Sequence, residues 1–292
     1  MSFCKNCGSE ANIKLNAQDL NRKISEETFE YLCCKKCGFI FLQNIPTNLG
    51  DYYPTDYYGP VPKSANQLLG AAKSVENYKI DLVKKYCDGI STVLEIGPSM
   101  GGFALLCKDA GLDIRTLEMS QKCSDFLNNV AGIPTVNTSN ELESLAHEKK
   151  SDLIALWHVI EHVVDPFALI EACAEKVNSG GFLLLAAPNP EALQFLIFKE
   201  AWVHLDAPRH TSLIPLKLLE SKLTALGFEI VLSTTNDKGS TGWTEFGWEY
   251  STNHIQTQSS KDWLSHVKKL TSPLEEVEGV GAAYTVISRK RT

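Results

Sequence analysis

The stretch from Thr92 to Phe103, TVLEIGPSMGGF, constrains this chain more than any other. A short, mostly apolar strand pattern, Thr92–Ile96, runs straight into a turn bearing Gly97, Gly101 and Gly102. An apolar helical pattern, Phe103–Ala110, follows and stops at Gly111. A strand delivered through a glycine turn into a helix is the unit of a doubly wound sheet, which places a ligand at the carboxyl ends of its strands. The alternation continues through a strand at Ile114–Leu117, a helix from Ser120 and an apolar strand at Leu153–Trp157. Asp165 and Pro166 read as the N-cap and first residue of a helix that runs to Val177 and stops at Gly180-Gly181, ahead of a strand at Phe182–Ala187. Upstream, Val75, Tyr78, Leu82 and Tyr86 predict one helix before the breaker Asp88-Gly89. Downstream, a helix after Pro215 ends at Gly227, followed by a strand at Phe228–Ser233, a polar Trp-rich stretch and a last strand, Ala282–Ser288. The expected fold is α/β: a Rossmann-like doubly wound sheet of seven mostly parallel strands.

The glycine turn alone does not select a ligand. A dinucleotide-binding turn uses G-x-G-x-x-G so that backbone approaches a pyrophosphate, but here Ser99 replaces the second glycine and Pro98 removes an N–H donor. Glu95 would oppose a diphosphate, whereas it suits the cationic amino-acid end of S-adenosylmethionine (SAM). Glu118 closes the second strand, 23 positions after Glu95, where an acid accepts hydrogen bonds from both ribose hydroxyls. The charges select SAM over NAD.

From about Val75 to Arg289 the chain resembles class I SAM-dependent methyltransferases, in the branch containing ubiquinone-pathway and sugar methyltransferases. VLEIGPSMGGF, RTLEMS, LIALWHVIEHVVDPFALI and AAYTVISRK carry the resemblance. It implies that Glu95 serves the methionine part of SAM, that Gly97, Pro98, Gly101, Gly102 and Phe103 form the cofactor loop, and that Glu118 binds ribose. It further implies that Met119 packs on adenine, that Asn140 or Glu141 meets the adenine edge, and that Trp157 and His158 close the cofactor pocket.

Cys4-x-x-Cys7-Gly and Cys34-x-x-Cys37-Gly, separated by 26 residues, each offer two thiolates to one tetrahedral metal. Four thiolates leave no open position, so a zinc on Cys4, Cys7, Cys34 and Cys37 is expected to be structural. Cys33 lacks the spacing to Cys37 and is left out. This predicts a small zinc ribbon over residues 1–45, an aromatic linker over 46–70 and a methyltransferase domain over 71–292. Nine cysteines with two tight pairs do not read as a secreted disulfide framework. With no apolar leader and no window of 18 apolar residues, a soluble, cytoplasmic protein without membrane insertion is expected.

Methyl transfer from a sulfonium is an in-line displacement, so the protein must position the nucleophile and take its proton. Two histidine-bearing segments follow strands: His158-Val-Ile-Glu161-His162 and His204-Leu-Asp206-Ala-Pro-Arg209-His210. His210 resembles the general base that sugar C-methyltransferases place before a similar helix. Asp206 is a candidate to orient an imidazole and Arg209 to clamp an acceptor phosphate or carboxylate, with His204 and His162 as further catalytic candidates. The first segment resembles the E-x-x-E-H by which some ubiquinone-pathway O-methyltransferases hold a divalent metal, with His158 in place of the first acid. Since the sequence identifies no third ligand, bracing of the next helix is the reading adopted and no catalytic metal is expected. Tyr52, Tyr53, Tyr57 and Tyr58 are assigned to interdomain packing ahead of an acceptor pocket.

A net charge of -7 from 35 acids and 28 bases, without a long run of like charge, argues against a nucleic-acid partner. The ribbon and linker resemble those of methyltransferases for modified-sugar and surface-polysaccharide synthesis, which implies a nucleotide-linked sugar or glycan acceptor methylated at O or C. Two alternatives remain open: an RNA methyltransferase that binds substrate through the ribbon, and a non-catalytic SAM-binding scaffold.

Overall fold

The computed structural model describes residues 2–54, 56–255 and 261–292. Its elements are, in order, β1 (Ser2–Phe3), β2 (Glu10–Ala17), β3 (Phe29–Cys34), β4 (Ile40–Leu42), α1 (Ala65–Val75), α2 (Asn77–Tyr86), β5 (Thr92–Ile96), α3 (Gly102–Asp109), β6 (Asp113–Glu118), α4 (Gln121–Phe126), β7 (Thr135–Asn137) and α5 (Glu141–His147). There follow β8 (Ser151–Trp157), α6 (Pro166–Lys176), β9 (Val177–Pro188), α7 (Leu193–Phe198), β10 (Ser212–Leu213), α8 (Leu216–Ala225), β11 (Phe228–Thr234), α9 (Lys238–Ile255), α10 (Lys261–Glu275) and β12 (Ala283–Lys290).

The main sheet has seven strands in the order β11-β12-β9-β8-β5-β6-β7. Only β12 runs against the others, pairing antiparallel with β9 and β11, so the sheet is the expected Rossmann-like one. The predicted Asp165 cap holds, with Oδ1 accepting from the Ala168 N–H at 3.0 Å and Pro166 in the first turn, and the helix expected from Ser120 starts there, Ser120 Oγ accepting from the Cys123 N–H at 3.4 Å.

Three sequence expectations change. The helix expected across Val75–Tyr86 is two helices meeting at Glu76, whose φ of -107° and ψ of 4° break the helical run. The Gly180-Gly181 pair lies inside β9 rather than ending α6. A Cβ on Gly181 would fall 2.7 Å from the Asp152 carbonyl oxygen, beside the register shift between β8 and β9, so close backbone approach requires the glycine. The Trp-rich stretch forms α9 and α10; Gly239, Gly242 and Gly247 in one and Pro273 in the other mask the helical pattern.

A second sheet, β1-β2-β3-β4-β10, frames the two knuckles of Cys4, Cys7, Cys34 and Cys37, which fall at the β1–β2 and β3–β4 turns. Its edge strand β10 belongs to the chain beyond His210, and Ser212 and Leu213 pair with Phe41 and Ile40. Phe39 is buried with its ring 4.9 Å from that of Phe167 on α6, so the ribbon shares a core with one face of the main sheet. Burying such a side chain contributes roughly 1.5–3 kcal/mol. Among the described residues, no helix is long and apolar enough to cross a membrane.

Candidate cofactor and acceptor cleft

The ends of β5, β6 and β8 open onto a cleft of about 1150 Å³. Gly97, Ser99, Glu118, Met119, Asn140, Trp157 and His158 line it, while Glu95, Pro98, Gly101, Gly102 and Phe103 are buried and do not. Gly97 has φ +67°, and a Cβ there would stand 2.7 Å from Val159 Cγ2, so this turn admits no larger residue without movement. Ser99 also lies in the left-handed region, at φ +54°, which is the conformational reason a glycine suits that position.

Ser99 earns its conformation through its backbone: the N–H donates to Glu118 Oε2 at 2.9 Å, while the Ser120 N–H donates to Oε1 at 2.7 Å. Burial raises the Glu118 pKa against these donors. Each oxygen still has a lone pair for a ribose hydroxyl. Glu95 is buried beneath the loop with Oε2 lacking a hydrogen-bond partner, and burial pushes its pKa up to about 8 despite the pull of Lys79. That orphaned oxygen fits the cationic end of SAM. Trp157 Nε1 is likewise buried without a partner, its ring meeting Phe103 and Tyr78 edge-on, with Lys79 Nζ 5.2 Å from its centroid. Tyr78 and Lys79 were legible only as helix residues. Asn140 Oδ1 caps α5 by accepting from the Glu143 N–H at 3.2 Å, and Met119 is half exposed beside it in the cleft wall.

At the other end of the cleft the two histidine segments meet. His162 Nδ1 lies 3.2 Å from the Arg209 carbonyl oxygen and 3.0 Å from Tyr53 Oη, while His210 Nδ1 lies 2.8 Å from the His204 carbonyl oxygen. The two imidazoles stand edge-to-face with centroids 4.5 Å apart. Glu161, buried beside them, has no hydrogen-bond partner on either oxygen among the described residues, and His158 Nδ1 is 3.4 Å from Oε1. Burial favours protonation of Glu161, but His158, His162 and His210 outweigh it and hold the pKa below the ordinary value. Burial pushes His162 down to about 4 and His204 down to about 3.

Asp206 and Arg209 occupy roles other than those expected. Asp206 binds Arg209 Nη2 at 2.7 Å and Nε at 2.9 Å and accepts from Asn21, so it meets no imidazole directly. Arg209 has no solvent exposure and cannot reach an acceptor. The His204 ring is engaged too, with Nε2 2.9 Å from the Trp243 carbonyl oxygen.

The ribbon and linker supply a wall that composition did not reveal. Asn21, Arg22, Tyr53, Tyr57 and Tyr58 line the cleft, with the Arg22 guanidinium 5.1 Å over the Tyr57 ring. Tyr53, Tyr57 and Tyr58 thus face the cleft rather than serving packing alone, whereas Tyr52 is buried in the ribbon core. Trp243, Phe246 and Tyr250 on α9 complete the lining.

Cys4, Cys7, Cys34 and Cys37 place their sulfurs within 4.8 Å of one another. The Cys4–Cys37, Cys7–Cys34 and Cys7–Cys37 separations are 3.6, 3.5 and 3.7 Å. These approach the edge of about 3.8 Å expected for a tetrahedron with a Zn–S bond near 2.3 Å. The Lys36 and Cys37 N–H groups point at Cys34 Sγ at 3.4 Å, so donors from within the second knuckle offset thiolate charge. The four residues fit a structural zinc.

A family model described as a methyltransferase domain matches residues 66–233. The chain belongs to the methyltransferase domain family. The fold agrees with this: a SAM-dependent methyltransferase from Archaeoglobus fulgidus superposes with a TM-score of 0.50 at 21% identity, covering 75% of this chain and 94% of its own. Ubiquinone biosynthesis O-methyltransferase from Bordetella avium is 25% identical, over 50% of this chain and 64% of the relative. The Nitrosomonas europaea protein of the same name is 24% identical, over 46% and 60%. This chain therefore matches less than two thirds of the length of either relative.

Proposed function

We propose that this methyltransferase moves the methyl group of SAM to an oxygen or carbon of a small ring-shaped acceptor held against the ribbon and linker. The observation that carries this reading is the single cleft that joins Gly97 and Glu118 to Glu161, His162 and His210. For an oxygen acceptor, the S–CH3 bond of SAM breaks as O–CH3 forms, S-adenosylhomocysteine leaves, and the hydroxyl proton passes to the histidine cluster. A ring held near 4, as His162 is, makes a weak base, so His210 is the proposed base. His204 positions His210 through its carbonyl, and Asp206 fixes Arg209, whose carbonyl positions His162. In this reading the zinc ribbon (1–45), the linker (46–70) and the methyltransferase segment (71–292) act together, with zinc on the four cysteines keeping the acceptor wall folded.

A nucleotide-linked sugar or glycan is the proposed acceptor class, on the ribbon and linker resemblance. Arg22, the one Lys or Arg lining the cleft among the described residues, is the group available to its phosphate. A phenolic acceptor is the second reading, favoured by the relatives named for ubiquinone biosynthesis. Incubation with methyl-labelled SAM and panels of both classes tests them. Label on a nucleotide sugar, with a KM raised by Arg22→Ala, supports the first; label only on phenols, indifferent to Arg22, supports the second. Tight SAM binding with label on neither would count against both.

A further inference from the structure

We infer that Tyr78 is a positioning residue that ties the first turns of α9, and with them the Trp243 wall of the acceptor end, to occupation of the SAM site. The contact that carries this joins two helices far apart in sequence. A Cβ on Gly239 would stand 2.6 Å from both Cε2 and Oη of Tyr78, so the ring lies directly against the α9 backbone and glycine is what admits it. Asp237 fixes that turn, accepting from the Gly239 and Ser240 N–H groups at 2.7 and 3.2 Å. Trp243 lies one turn further along the same face. Its ring stands 4.7 Å from that of His158 and 5.6 Å from that of His204.

The other side of Tyr78 belongs to the cofactor end. Its ring meets Trp157 edge-on at 6.2 Å, and Trp157 lines the cleft. Its neighbours on α2 stand behind the loop. A Cβ on Gly102 would fall 2.6 Å from Glu76 Oε1, while Lys79 pairs with Glu76, lies over the Trp157 ring and draws the Glu95 pKa down against burial. Glu95 Oε2 and Trp157 Nε1 are buried here without a partner. The ammonium of SAM suits the first, and its carboxylate suits the second together with Lys79. One amino-acid group therefore engages β5, β8 and α2 at once, whereas Glu118, the group suited to ribose, belongs to β6.

A ligand shifts a structure only by what it binds differently in two states. The difference here is charge. Without SAM the ion-pair partner of Lys79 is Glu76 on the same helix, and α2 meets α1 at the break in that residue. With SAM, α2 is also held to the sheet through the cofactor, and Tyr78 is held against the α9 turn on which it rests. Gly239, Gly242 and Gly247 leave α9 with weak intrinsic helicity, so ordering the residue packed on its first turn orders the turn itself. The consequence is a cofactor-first order of binding, since SAM sets the wall that the acceptor meets. The coupling rests on the SAM site and not on which acceptor is used.

Hydrogen–deuterium exchange of the full chain, read by mass spectrometry over residues 238–247, tests this with two ligands at saturation. S-adenosylhomocysteine has the amino-acid group, and methylthioadenosine lacks it. The expected result is exchange at least tenfold slower in that segment with S-adenosylhomocysteine and less than twofold slower with methylthioadenosine. Tyr78→Ala and Gly239→Ala approach the contact from opposite sides. Each should abolish the added protection while calorimetry still shows S-adenosylhomocysteine bound, whereas Tyr78→Phe, which keeps the ring, should retain it. Alanine at position 239 favours the helix by itself, so loss of ligand-dependent protection there is not a loss of helix stability. Should a variant fold poorly, the comparison of the two ligands on the unaltered chain still decides. Equal protection by both ligands, or undiminished protection in both alanine variants, overturns the coupling. Absence of binding by either ligand would overturn the cofactor site on which the coupling rests.

Discussion

Arg209 and Asp19 form a buried ion pair across 190 residues of sequence, with Nη2 2.6 Å from Oδ1 and neither side chain exposed to solvent. Asp19 also accepts from the backbone N–H groups of Arg22 and Ile24, each at 3.0 Å, and so shapes the ribbon loop that carries Asn21 and Arg22 into the cleft. The pair fixes that loop to the segment bearing His204 and His210. Removing one partner of a buried pair leaves an uncompensated charge and costs about 3–5 kcal/mol. Asp19→Ala is expected to lower unfolding stability in urea by that amount. A loss below about 1 kcal/mol would show that Asp206 alone satisfies the guanidinium.

The sheet and the cofactor loop were legible because their signals are local. Glu95 and Gly97 sit at positions fixed by β5 and its turn and Glu118 at the end of the next strand, β6, and the apolar runs of β5, β8 and β9 allow little else. The acceptor end was not legible, since its geometry comes from contacts between distant segments. Nothing near Arg209 in sequence indicates that Asp19 and Tyr52 enclose it, which is why it reads as a free clamp. The same holds for Tyr53, whose hydroxyl meets His162 across 109 residues. Glycine-rich α9 concealed the remaining wall, because its packing against the rest of the chain overrides a weak helical propensity.

The loop conformation predicts opposite outcomes at neighbouring positions. At Gly97, alanine would bear left-handed strain of about 1–2 kcal/mol and also meet Val159, so Gly97→Ala should lower SAM affinity at least tenfold by calorimetry. At Ser99, glycine relieves similar strain but adds freedom to the unfolded chain worth about 0.5–1 kcal/mol. Ser99→Gly should therefore leave stability unchanged or raise it by up to about 1 kcal/mol. A clear loss would mean the serine hydroxyl has a role that its backbone does not explain.

The four-cysteine geometry predicts one tightly held zinc per chain, released when the thiolates are blocked and measured with a colorimetric chelator. Cys7→Ser and Cys37→Ser should each abolish it. Since Phe39 and Phe41 join the core against α6 and β4 pairs with β10, loss of zinc should also lower the melting temperature of the whole chain. Full zinc content in both variants would show that the cluster is not the site.

Glu95 predicts a proton-linked cofactor. Its folded pKa of about 8 exceeds the ordinary carboxylate value of 4.5, so the folded state favours the protonated acid. That contribution to stability is full below the unfolded pKa and is lost as pH rises from about 4.5 toward 8, which makes the SAM-free chain less stable at pH 7 than this group alone would allow at pH 5. Placing the SAM ammonium beside Glu95 favours the ionised form and reverses the preference. Binding at pH 7 should then release close to one proton, and affinity should rise with pH until the acid is already ionised in the free protein. Calorimetry in two buffers of different ionisation enthalpy reads the release directly. Glu95→Gln should abolish it, weaken SAM binding and flatten the pH dependence of stability; equal proton release by parent and variant would assign the proton to another group.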